Sequence, residues 1–187
     1  MDSPSVEQNR APYLLLSGSH AATQAANPIN ACLSTDNKIM VLDYENRFKV
    51  FPLRRKIRKV APLVTTSLNN TGVARTFTCY QVVSLLLGLS ILPDYVVVLD
   101  LLSTFYDENV PIVERKRLLL ESIMHLRRLS GSLQVLVTTK PLPSSKEPTL
   151  NELEIILVSS AESFYQMQSL EPKAVDIAQL WPMIVIA

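Results

Sequence analysis

Tyr95-Val96-Val97-Val98-Leu99-Asp100 is the stretch that decides the fold. Its β-branched residues favour an extended chain, and the apolar run is continuous rather than alternating. A strand with no polar face is one covered on both sides, the signature of a parallel sheet between helical layers. Working outward, Tyr13-Leu14-Leu15-Leu16-Ser17-Gly18, Lys38-Ile39-Met40-Val41-Leu42-Asp43 and Leu133 to Thr139 have the same character. Leu153 to Ser159 and Ala174 to Ala187 are further strand candidates.

Helical spacing fills the intervals. Pro111 to Leu129 is the clearest helix: Ile112, Leu119, Ile123 and Leu126 line one face, which Leu120 and Met124 widen. Glu114, Arg115, Arg117 and Arg128 are expected on the other side. Phe77 to Leu92 is a helix stopped by Pro93, and Ser19 to Leu33 a short or irregular one interrupted by Pro28. Pro52 opens an amphipathic segment in which Leu53, Ile57 and Val60 share a face. Residues 61–75 and 141–148 read as loops. The alternation of strand and helix predicts an α/β fold with a mostly parallel central sheet. Such sheets bind ligands at the carboxyl ends of their strands, where Gly18, Asp43, Asp100 and Thr139 fall.

Composition bounds the function. The 187 residues are expected to form a disordered leader over 1–11 and a single domain over 12–187. Hydrophobic residues make up 48%, charged residues 19%, and the net charge is +1, which excludes a strongly basic nucleic-acid coat and an acidic solvating chain. The longest apolar run, Val82 to Leu92, falls short of the ~20 residues of a membrane span. The four glycines, Gly18, Gly72, Gly88 and Gly131, build no intact phosphate-binding loop. Cys32 and Cys79 form neither a disulfide framework nor a zinc spacing, and His20 and His125 are isolated. Cys32 and Cys79 are read as small buried side chains, His20 as a loop residue, and His125 as a packing or surface residue. No metal or cofactor is expected.

The acids that end strands are the candidate chemistry. An aspartate after a buried strand can hold Mg²⁺, and a nearby glutamate can orient water for phosphoryl transfer. Asp43 with Glu45, and Asp100, have that placement; each alone also suits an acid capping the next element. In order, the motifs resemble the RecA-type recombinase core, specifically its divergent paralogues. Tyr13 to Gly18 sits where that family's first strand enters its phosphate loop. Val41-Leu42-Asp43-Tyr44-Glu45-Asn46-Arg47-Phe48 resembles the D-x-E strand motif, with Glu45 at the catalytic glutamate position. Tyr95 to Asp100 resembles the Walker B strand and Leu101-Leu102-Ser103-Thr104-Phe105 the segment after it. Leu133 to Lys140 resembles the V-T-N-Q strand. The likeness covers roughly residues 12–140 and implies a RecA-like P-loop NTPase core.

Departures from the pattern shape the functional expectation. In place of a glycine-rich loop with lysine stands Gly18-Ser19-His20-Ala21-Ala22-Thr23-Gln24, and Lys140 replaces the final glutamine of the later motif. Without that lysine and the converging backbone N–H groups, the electrostatic stabilisation of phosphoryl transfer is lost. The resemblance therefore implies a degenerate phosphate loop, a vestigial nucleotide cleft around Gly18, Ser19, Glu45 and Asp100, and no catalysis. Among such proteins the chain is most similar to the small subunits of the Shu complex. These lack the N-terminal helical domain, for which this chain leaves no room before its first strand. The Thr138-Thr139-Lys140-Pro141-Leu142-Pro143 stretch resembles a strand end of that group. The implied role is in homologous recombination and DNA repair in the nucleus, assisting recombinase filament assembly on single-stranded DNA. The implied partners are another recombinase paralogue, a SWIM-type zinc protein, the recombinase filament, and single-stranded or forked DNA.

Arg54, Arg55, Lys56, Arg58 and Lys59 form a cationic run that reads as DNA contact, with nuclear import or a solvated helix face as the other readings. Arg127, Arg128 and Lys140 are candidates to extend it. The ending Trp181 to Ala187 reads as a final sheet strand or a partner surface. Two other functions share the fold: a degenerate subunit of a tRNA-modification assembly, the accessory ring of Elongator, and an ATPase with an atypical loop.

Overall fold

A computed structural model describes residues 13–25, 37–44, 48, 71–89, 93–141, 148–161 and 163–167. The leader over 1–11, the Leu53–Val60 segment, Cys32 and the Ala174–Ala187 strand lie outside the described residues.

The apolar runs at Leu14–Ser17, Ile39–Asp43, Tyr95–Leu99 and Gln134–Thr139 form strands, whereas the one that starts at Val82 belongs to a helix. In chain order the elements are β1 (Leu14–Ser17), α1 (Ala21–Gln24), β2 (Ile39–Asp43), β3 (Thr71–Arg75), α2 (Cys79–Gly88) and β4 (Tyr95–Leu99). A 3-10 helix (Leu101–Tyr106), α3 (Ile112–Ser130), β5 (Gln134–Thr139), α4 (Pro148–Ser160) and β6 (Ser163–Gln166) follow. The strands make one six-stranded sheet in the order β3-β2-β4-β5-β1-β6, and every pairing is parallel.

Both faces of the sheet are buried, as the unbroken runs require. Successive side chains of a strand point to opposite faces. Val96 and Val98 of β4 accordingly join a core with Val82 and Leu86 of α2, Leu119 and Ile123 of α3, and Leu153 and Leu157 of α4. Tyr95, Val97 and Leu99 join a second core with Leu14 and Leu16, Ala21 and Ala25, and Phe48. The 3-10 helix inserts Leu101, Leu102 and Phe105 into the first core. Thr78 caps α2, its hydroxyl accepting from the Gln81 N–H, while the Gln81 side chain accepts from the Phe77 N–H. This reciprocal arrangement starts the helix at Cys79, two residues later than the apolar pattern suggests.

Four expectations are corrected. Leu153–Ser159 is not a strand but part of α4. Leu150, Leu153 and Leu157 recur on one buried face while Ile155 is 64% exposed, so helical packing overrides the local β-branched composition. Residues 71–75 are not loop but β3, which among the described residues pairs with β2 alone. An edge strand needs no apolar run, and β3 instead places Gly72 where a Cβ would meet the Met40 side chain at 2.8 Å. On α3, Leu120 and Met124 do not extend the buried face; they are 56% and 58% exposed. Arg115 lies not outside but in the buried face with Leu118, Leu119 and Ser122, and its guanidinium donates to the Phe105 carbonyl at 3.4 Å. No described helix is long and apolar enough to cross a membrane.

Candidate functional site

Parallel strands deliver all their carboxyl ends to one edge. Because β2, β4, β5 and β1 are consecutive neighbours, Asp43, Asp100, Thr139 and Gly18 stand along that edge in spatial sequence. The placement expected of these four residues is therefore met. The ends are also stitched together. The Gly18 N–H donates to the Thr139 carbonyl at 3.0 Å, the Asp100 N–H to Thr138 Oγ1 at 2.9 Å, and the Tyr44 N–H to the Leu99 carbonyl at 3.3 Å. On the far side the Met167 N–H donates to the Ser17 carbonyl at 2.8 Å. The register of the edge is thus held by hydrogen bonds that extend the ladder past the strands.

Asp100 is the most constrained residue of the edge. It is buried and has left-handed backbone dihedrals, φ 54° and ψ 53°. A non-glycine residue there costs on the order of 1 kcal/mol, least for Asp and Asn. The turn is secured from both sides: its N–H goes to Thr138, and its carbonyl accepts from the Ser103 N–H at 3.0 Å and hydroxyl at 2.7 Å. The left-handed residue turns the chain sharply from β4 into the 3-10 helix. Such strain tends to concentrate at functional positions.

Asp43 serves a local role. Its side chain is fully buried, and Oδ2 accepts from the Phe48 N–H at 2.9 Å and lies 3.5 Å from Arg75 Nε. Arg75 also donates to the Phe48 carbonyl at 3.3 Å. Asp43 and Arg75 together fasten the chain after β2 to the end of β3. This is the capping behaviour of a strand-end acid. Glu45, its companion in the D-x-E motif, lies outside the described residues.

Gly18 is fixed by a close neighbour. At φ +157°, a Cβ added to it would sit 2.8 Å from Met167 Cβ and 3.2 Å from the Met167 carbonyl oxygen. The glycine therefore lets the chain leaving β6 pass over the end of β1. Ser19 and His20 are exposed, and α1 starts at Ala21, whose N–H donates back to the Gly18 carbonyl at 3.1 Å. The Gly18 and Ala21 N–H groups are thus engaged within the protein, and no lysine occurs over residues 18–24.

No protein-family model matches the chain, and no curated protein matches it significantly.

Other predicted residues are dispersed. Arg54, Arg55, Lys56, Arg58 and Lys59 lie outside the described residues. Lys140 follows β5 at the edge and is half-buried, whereas Arg127 and Arg128 end α3. Arg128 donates to the Leu86 carbonyl at 3.1 Å, tying the end of α2 to α3, and Arg127 to the Ser160 carbonyl at 3.0 Å. His125 is buried on α3, His20 is exposed, and Cys79 is buried. Among the described residues, no three His, Cys, Asp or Glu side chains gather into a metal-ligand group.

Sequence reasoning missed Thr138 and Arg75. Thr138 is fully buried yet supplies the acceptor that positions Asp100. Its signal was a hydroxyl inside an otherwise apolar strand. Arg75 was read as loop because β3 carries no strand pattern. Burial also raises the Tyr44 phenol well above the ordinary tyrosine range, and it raises the Cys79 thiol. Neither group is poised to titrate near neutral pH.

Proposed function

We propose that the chain is a non-catalytic, RecA-like subunit of a Shu-type complex, which assists recombinase filament assembly on single-stranded DNA during homologous recombination in the nucleus. One observation carries the reading. The three strands that resemble the phosphate-loop, Walker B and V-T-N-Q strands are β1, β4 and β5, and they are adjacent in a parallel sheet. Gly18, Asp100 and Thr139 consequently share one edge, as the remnants of a single nucleotide cleft must. The six-strand order is compatible with a RecA-like core.

The edge is built as a scaffold rather than as a phosphate-transfer site. Phosphoryl transfer depends on cations and free N–H groups converging on the phosphates. Here two N–H groups of the first turn are spent on the protein, and the turn carries no lysine. In this reading the carboxyl edge of the sheet presents a rigid surface to another recombinase paralogue and a SWIM-type zinc protein. The cationic run Arg54–Lys59 supplies phosphate contacts to single-stranded or forked DNA, which predicts salt-sensitive binding.

The test is recombinase focus formation after double-strand breaks in native cells lacking the chain. Reduced foci with unchanged tRNA wobble modification are expected. Normal foci with lost wobble modification would move the chain to an Elongator-type ring. ATP hydrolysis abolished by Asp100→Asn would make it an ATPase.

A further inference from the structure

The neighbouring strands β1 and β6 are held in the sheet on different terms. β1 is interior throughout: Leu14, Leu15, Leu16 and Ser17 are all buried. β6 is held mainly by its backbone. Phe164 and Tyr165 are 38% and 44% exposed, Gln166 is exposed, and no residue of β6 belongs to either buried core. Among the described residues β6 pairs with β1 alone.

The two ends of this piece also differ. Its root is fixed. The Ser160 carbonyl at the end of α4 accepts from Arg127 at 3.0 Å, and the Ser160 hydroxyl bonds the Tyr13 hydroxyl. Its tip lies over the carboxyl edge of the sheet. The Met167 N–H donates to the Ser17 carbonyl at 2.8 Å, and Met167 packs, partly buried, against the second core. Met167 also fills the space that a Cβ on Gly18 would need. With the tip in place, no other backbone can approach Gly18 from that side.

Local opening costs what the opening segment buries, so segments with few buried apolar contacts open first. By that measure β6 and β1 are far apart, although ladder bonds join them. We infer that residues 163–167 form a detachable strap. It opens from the sheet by itself, about the Ser160 root, while β1 stays paired with β5, and it thereby gates the Gly18 end of the carboxyl edge. The ends of β2, β4 and β5 stay in place. This goes beyond the proposed recombination role and does not depend on it.

The backbone makes the test residue-specific. Successive N–H groups of a strand point to opposite sides, as its pleat requires. The Gly18 N–H goes to the Thr139 carbonyl beyond β5, so the Leu16 N–H shares that side and those of Leu15 and Ser17 point to β6. The Tyr165 N–H shares the direction of Met167. Amide hydrogen exchange of the full-length chain, read by NMR, should therefore split β1. Tyr165, Met167, Leu15 and Ser17 should exchange together, with protection at least about a hundredfold below that of Leu16. Met167→Ala trims the contact with the second core and should lower those four protections about tenfold further. Leu16 should keep its own, which also shows that the variant is folded. Equal protection of Leu15, Leu16 and Ser17, whether high or low, means that β1 and β6 open as one and overturns the inference. A Met167→Ala chain with all five protections lowered alike, or none lowered, overturns it as well.

Discussion

Replacing Thr138 with valine removes a single acceptor from the carboxyl edge. Thr138 is fully buried, and its Oγ1 accepts from the Asp100 N–H at 2.9 Å. Valine keeps the shape and the strand preference, so no cavity opens. The Asp100 N–H is then left at a buried residue without that bond, which costs ~1–3 kcal/mol. A methyl in place of the hydroxyl returns up to ~0.8 kcal/mol of burial. From the middle of that range the net destabilisation is ~1 kcal/mol, which at a urea slope of ~2 kcal/mol/M lowers the midpoint by ~0.5 M. The assay is urea unfolding followed by circular dichroism, with amide exchange at Asp100 as the local readout. Asp100 should lose protection before the rest of β4 does. A midpoint change equivalent to less than ~0.5 kcal/mol, the scatter of ordinary surface substitutions, with Asp100 protection intact, would refute the claim that Thr138 holds this turn.

Three further outcomes are expected. Gly18→Ala puts a Cβ 2.8 Å from Met167 Cβ, so it should cost ~1–3 kcal/mol by overpacking, partly recovered by Met167→Gly in the same unfolding assay. Burial raises the phenols of Tyr13, Tyr44 and Tyr106 above the ordinary 10.0. The folded state therefore favours the neutral phenol; this contribution is complete below pH 10 and is lost as pH rises further. Alkaline titration of phenolate absorbance should show Tyr13, Tyr44 and Tyr106 ionising only above the normal range or with unfolding. In a Cys32→Ser variant, Cys79, buried and with a raised thiol pKa, should react with a thiol reagent only as fast as the chain unfolds.

The interior strands were readable because burial on both faces demands an uninterrupted apolar run, and β1, β2, β4 and β5 each have one. The edge strand β3 has no such demand, so Thr71–Arg75 looked like loop, and with it went the Asp43–Arg75 fastening. Ile155-Ile156-Leu157-Val158 misled in the opposite direction. Its β-branched residues suggest a strand, yet the leucines at 150, 153 and 157 keep helical spacing against the core. Arg115 could have been placed from its position three and four residues before Leu118 and Leu119, had charge not been taken as exposure. At the site, the strand-end positions of Gly18, Asp43, Asp100 and Thr139 were legible from where apolar runs stop. The left-handed turn at Asp100 and its dependence on Thr138 were not, because they come from two strands far apart in sequence brought into register.

The central claim is that the chain works as a non-catalytic partner in recombination, and its associates test that most directly. Affinity purification of the tagged chain from its native cell, read by mass spectrometry, should recover a recombinase paralogue together with a SWIM-type zinc protein. Recovery of Elongator-type subunits in their place, or of no recombination protein at all, would contradict the account.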